Sequence, residues 1–139
     1  MSRLYMLDTN ICSFIIRERP PSVLARLQAA VQAGDSALIS VVTYYEMLLG
    51  TIGRRASPRH ASLVEAFLAR VSAVLPWDRP AAEEATRIRQ DLESRGLPIS
   101  GNDTMIAGHA RASGCVLVTN NTREFARVEG LLVEDWAVG

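Results

Sequence analysis

Short, continuously apolar, β-prone runs recur along this chain, and a helical pattern separates each run from the next. They fall at residues 4–7 (LYML), at 37–42 (ALISVV), within 71–77, at 115–119 (CVLVT) and at 131–133. A strand with one wet face alternates apolar and polar residues. Most of these runs do not, which suits strands covered on both faces, as in a parallel sheet joined by crossover helices. The helical stretches carry their own punctuation. Ser22 is placed to cap a helix over 23–33 that Gly34 ends. Ser57-Pro58 opens another, with Leu63, Val64, Phe67, Leu68 and Val71 at helical spacing. Asp78 and Pro80 open a third that stops at Gly96, and Ser100 opens a fourth that ends before Gly114. The resulting order, β-α-α-β-α-α-β-α-α-β, predicts an α/β fold with a mostly parallel central sheet. A chain of 139 residues has room for one such domain, spanning 1–139.

Composition narrows the chemistry. Lys and Arg together number 15, all of them Arg, against 15 acids, so the formal net charge is zero. Binding nucleic acid through bulk charge is therefore not expected, although local patches are possible. With no lysine, P-loop phosphate binding, Schiff-base chemistry and lysine-assisted aspartyl phosphate chemistry all lose a required group. Cys12 and Cys115 are too few for a disulfide framework or a zinc site and read as buried thiols. No apolar stretch is long enough for a signal peptide or membrane span, so the expectation is a cytoplasmic protein with no membrane contact.

In open α/β sheets, ligands bind beyond the carboxyl ends of the strands. Asp8 directly follows the first strand. Glu46 follows the second, in the expected first turn of the next helix. Asn121 and Glu124 follow the fourth. Asp103 starts the helix leading into that strand, and reaches the same edge only if the preceding loop returns the helix start there. Acids gathered in this way repel one another unless their pKa values rise or a cation sits among them. Hard oxygen ligands suit Mg²⁺ or Mn²⁺, and such a site performs phosphoryl chemistry without a protein nucleophile.

Each of these residues also has a purely structural reading. Thr43 and Glu46 match a capping box, as do Ser100 and Asp103. Asp8 could be only an N-cap, Glu124 a solvated acid, and Asn121 a turn residue in the left-handed region. His60 is expected on an exposed helix start. His109 lies six residues beyond Asp103 and so off its helical face, which weakens a general-base role. Trp77 and Trp136 read as packing residues. Arg54, Arg55 and Arg59 form either a solvated face or a clamp on RNA phosphates, with Arg87, Arg89, Arg123 and Arg127 as further cations.

Four stretches in order resemble the motifs of PIN-domain ribonucleases: Met6-Leu7-Asp8-Thr9-Asn10, the run from Ser40 to Met47 carrying Glu46, Asp103-Thr104-Met105-Ile106-Ala107, and the run from Leu117 to Phe125. The closing run from Gly130 to Trp136 is similar to the end of bacterial VapC toxins. The resemblance implies a three-layer α/β/α fold and an endoribonuclease dependent on Mg²⁺, with Mn²⁺ as substitute. It implies a toxin of a bacterial toxin–antitoxin pair, a homodimer that cuts structured RNA, often tRNA. A VapB-type antitoxin would thread its tail into the active-site groove and contact operator DNA on the pair's behalf. By residue, it makes Asp8 and Asp103 the principal metal ligands and Glu46 the third acid. Thr119 would help position a water. Where many members carry Asp, this chain has Asn121, which bears on a second metal. Glu124 is the nearby acid that would substitute or orient water. The competing readings are a catalytically inert RNA- or protein-binding module, a DNA-directed nuclease, and a phosphatase acting on small esters.

Overall fold

The structure is a computed structural model that describes residues 2–54 and 56–138. Its strands are β1 (Leu4–Leu7), β2 (Ser36–Ser40), β3 (Ala73–Leu75), β4 (Val116–Val118) and β5 (Val133–Glu134). Its helices are α1 (Thr9–Arg17), α2 (Pro21–Gln32), α3 (Val41–Leu49), α4 (Pro58–Leu68), α5 (Arg79–Ser94), α6 (Gly101–Ala112) and α7 (Thr122–Phe125). The strands form one sheet in the order β3-β2-β1-β4-β5, and every pairing is parallel. β1 lies at the centre, with Tyr5 opposite both Ala37 and Val116.

The continuous apolar runs are explained by burial on both faces. Along β1, Tyr5 and Leu7 join a cluster with Ile11, Val23, Phe67 and Trp136, while Met6 points into a second with Ile88, Leu92, Ile106 and Phe125. Ala37, Ile39 and Leu38 of β2 divide the same way, as do Val116, Val118 and Leu117 of β4. Helices α1, α2 and α4 thus cover one face and α5 and α6 the other, giving three layers, α/β/α.

Four local expectations are corrected. The second strand ends at Ser40, not Val42, because the Ser40 hydroxyl accepts from the Val42 N–H and caps α3. Val41 and Val42 are β-branched but helical. The helix expected from Ser22 starts at Pro21, with Pro in its first turn; the Ser22 hydroxyl instead donates to the Trp136 carbonyl at 2.9 Å. The last strand is Val133–Glu134. His60 is half-buried against Gly50 instead of exposed.

The hairpin of α5 and α6 places the site. Gly96, at φ +67°, turns the chain between them. They meet so closely that a Cβ on Gly108 would lie 2.5 Å from the Ala85 nitrogen. Arg111 ties them further, reaching Glu84 at 2.8 Å and the Glu129 carbonyl at 2.9 Å.

Candidate active site

Asp8 emerges from the central strand. Its N–H extends the ladder to the Val118 carbonyl, and its Oδ1 accepts from the Ile11 N–H at 2.9 Å, so it also caps α1. The capping reading of Asp8 is therefore correct. The residue is only 6% exposed, and burial pushes its carboxyl from 3.8 to about 6. Hydrogen bonds from Thr119 and Ile11 oppose that rise, while Asp103 and Glu46 add to it. Thr119 is fully buried. Its hydroxyl accepts from the Asn121 N–H at 2.9 Å and bonds the Asp8 carboxyl, so it holds the β4 turn and Asp8 together.

Glu46 sits in the second turn of α3, not the first, because the helix begins at Val41. Ser40 supplies the cap, so Thr43 and Glu46 form no capping box. Glu46 Oε1 instead accepts from the Thr9 hydroxyl at 2.7 Å, across to α1. Thr43 is buried with its hydroxyl unpartnered.

Asp103 lies in the first turn of α6. Its N–H donates to the Ser100 hydroxyl at 3.1 Å, so Ser100 caps the helix, and the hydrogen bonds of the described residues include no return bond from the Ser100 N–H to the Asp103 carboxyl that would complete a capping box. The turn through Gly96 does return this helix start to the acidic group. Burial raises the Asp103 carboxyl, Ser100 opposes, and Glu124 and Glu46 both add to the rise. Glu124 of α7 is half-buried and accepts from the Asn121 side-chain amide at 3.1 Å. Asn121 has φ −94°, outside the left-handed region expected for it.

The structure therefore brings Glu46 and Asp103 within electrostatic range of Asp8, and Glu46 and Glu124 within range of Asp103, with Thr119 and Asn121 bonded to two of these acids. Among the described residues, no three His, Cys, Asp or Glu side chains form a ready-made cage for a metal ion. What remains is an open, all-oxygen site. That donor set fits Mg²⁺ or Mn²⁺, which one or two carboxylates hold while water and substrate phosphate complete the shell.

His109 is not among these residues. It is buried, with Nδ1 2.7 Å from the Ser40 hydroxyl. That hydroxyl also accepts from the Val42 N–H, so one side chain serves both the α3 cap and the buried imidazole. Burial lowers its pKa, and the ring braces α6 against the end of β2. Several of the arginines are engaged within the fold. Arg87 and Arg89 pair with Glu84 and Glu93 on α5, and Arg127 bonds the Pro98 carbonyl. Arg54, Arg59 and Arg123 are exposed, and Arg55 lies outside the described residues. Sequence reasoning missed Thr9, whose partner is 37 residues away.

Residues 5–131 match the family described as PIN domain. The chain is 44% identical to the tRNA(fMet)-specific endonuclease VapC of Shigella flexneri, over 96% of this chain and 98% of that one. It is 39% identical to the tRNA(fMet)-specific endonuclease VapC of Salmonella typhimurium, over 95% and 97%. Among solved structures it resembles VapBC2 of Rickettsia felis bound to a fragment of its promoter DNA, with a TM-score of 0.88, 32% identity and 96% and 98% of the two chains covered. DNA-bound VapBC of Salmonella typhimurium gives 0.86 and 38%, covering 98% and 99%. With the α/β/α layers and the acidic edge in place, these matches show that the chain belongs to the PIN-domain family, in its VapC branch.

Proposed function

We propose that this protein is a divalent-metal-dependent endoribonuclease, the toxin of a toxin–antitoxin pair, and that it hydrolyses a phosphodiester in a structured RNA. The observation that carries this reading is the buried Asp8 carboxyl, held up at about 6 beside Glu46 and Asp103 on a VapC chain. Its relatives' names make a tRNA the substrate of choice and tRNA(fMet) the first to test.

Asp8 and Asp103 would hold Mg²⁺, or Mn²⁺ in its place. A divalent cation there supplies Lewis acidity and neutralises charge on the in-line transition state. Thr9 occupies Oε1 of Glu46, which leaves Oε2 to orient the attacking water and accept its proton. Thr119 fixes the Asp8 carboxyl, and Asn121 turns Glu124 towards the same edge.

Two structural relatives are VapB–VapC complexes on DNA. A VapB-type antitoxin accordingly neutralises this protein, with a cationic side chain in the acidic groove, and carries the contact with operator DNA. A homodimer is the assembly we favour, because Tyr45, Leu48, Leu49 and Ile52 leave an exposed apolar stripe at the end of α3. Among the described residues, no helix is long and apolar enough to cross a membrane. The site of action is the cytoplasm, where tRNA is.

The test is purified protein, free of antitoxin, incubated with a tRNA pool and with DNA oligonucleotides, with Mg²⁺ or with EDTA, beside Asp8→Asn. Asn keeps the cap on Ile11 and removes the charge. Discrete tRNA fragments that require both the metal and Asp8 are expected. Equal cleavage by folded Asp8→Asn, or cleavage of DNA alone, overturns the reading. An inert but RNA-binding wild type points instead to a binding module, with Asn121 as the residue to revert to Asp.

A further inference from the structure

Thr9 and Glu46 belong to two neighbourhoods. Beside the acidic group, they also line a cavity of about 300 Å³ between α1, α3 and α4. Its apolar walls are Ile16, Met47, Leu63 and Val64. Ser13, Arg17 and His60 supply polar edges. Gly50 makes room for the imidazole, since a Cβ there would lie 2.8 Å from His60 Nε2. Arg17 is exposed at the mouth, its guanidinium 5.5 Å from the centre of the Phe14 ring, and it makes no ion pair among the described residues.

A cavity of this size sits at the small end of ligand pockets and takes one planar ring system. It is too small for a helix or a duplex. Its walls offer apolar and thioether contacts to a ring face, and hydroxyl and imidazole groups to a ring edge. Its mouth carries a cation without an acidic partner. Because it shares Thr9 and Glu46 with the site of hydrolysis, whatever enters it is close along the chain to the group being cut. Proteins that read RNA by sequence do so through unpaired bases stacked and hydrogen-bonded in such pockets.

Resting on the nuclease reading above, we propose that this cavity captures one unpaired nucleobase of the RNA, from a nucleotide adjoining the cleaved phosphodiester, with Arg17 on the neighbouring phosphate. The cavity selects the cut position, and the acidic edge performs the cut.

Ser13→Phe and Leu63→Trp fill the cavity from half-buried positions outside the acidic group, and thermal melts confirm that each folds. The probe is a synthetic RNA hairpin with 2-aminopurine at each loop position in turn, bound in EDTA. Wild type is expected to change the fluorescence of one position strongly, and both filled variants to abolish that change. An abasic residue at that position is expected to slow wild-type cleavage about tenfold and to add nothing further in the filled variants. A position-specific fluorescence change that survives filling overturns the proposal. So do filled variants that cleave like wild type but escape antitoxin, since the cavity then belongs to the protein partner. Absence of cleavage with Mg²⁺ is a failure of the nuclease reading alone, because the fluorescence experiment in EDTA still decides base capture.

Discussion

Replacing Asp8 by Asn should stabilise the protein while destroying its activity. The carboxyl is pushed from 3.8 to about 6 in the fold, chiefly by burial. An acid whose folded pKa is raised favours the fold when protonated. That contribution is complete below pH 3.8 and is lost as pH rises through about 6. At 1.36 kcal/mol per tenfold change in proton affinity, the rise corresponds to about 3 kcal/mol. Asn Oδ1 keeps the bond from the Ile11 N–H and carries no charge to desolvate. In EDTA at pH 8 the variant should therefore melt about 10 °C above wild type, given a few degrees per kcal/mol for a domain of this size. At pH 4 the two should nearly coincide. Saturating Mg²⁺ should raise wild type by about 2.7 kcal/mol at a hundredfold excess over its Kd and leave Asp8→Asn nearly unmoved. Thermal melts across pH 4–8, with and without Mg²⁺, read all three effects. If Asp8→Asn melts at or below wild type at pH 8 in EDTA, burial of this charge is not what raises its pKa, and the account of the site fails.

Three further outcomes follow from packing and charge. Gly108→Ala drives a Cβ into the Ala85 backbone of a facing helix, which cannot yield as a side chain tip does; a loss of about 3 kcal/mol in a urea titration is expected. Ser40→Ala removes the α3 cap and the partner of buried His109 Nδ1 together, and should cost about 2 kcal/mol by the same titration. Asn121→Asp replaces the amide donor to Glu124 by a like charge, so it should lose about 1 kcal/mol in EDTA at pH 8 and recover in Mg²⁺, read as a melting shift.

The order of strands and helices was legible because apolar runs buried on both faces, and caps such as Ser57, Asp78 and Ser100, leave local signals. Boundaries shifted where two local signals competed. Val41 and Val42 look like strand, and only the Ser40 hydroxyl assigns them to a helix. The acids Asp8, Glu46, Asp103 and Glu124 were legible as residues at one sheet edge. What holds them was not. Thr9 reaches Glu46 over 37 residues and His109 reaches Ser40 over 69, and neither distance leaves a mark on any local pattern. The cavity beside Glu46 likewise needs three helices to enclose it.

The position of β1 at the centre of the sheet bears on how such a chain is made. Asp8 precedes Glu46, Asp103 and β4 along the chain, yet its N–H and carboxyl are held by Val118 and Thr119. A nascent chain that already carries Asp8, Glu46 and Asp103 still lacks the strand that completes the edge. Products truncated before β4 should therefore be inert, and the wait for that strand gives a cell an interval in which a hazardous protein exists only as harmless fragments.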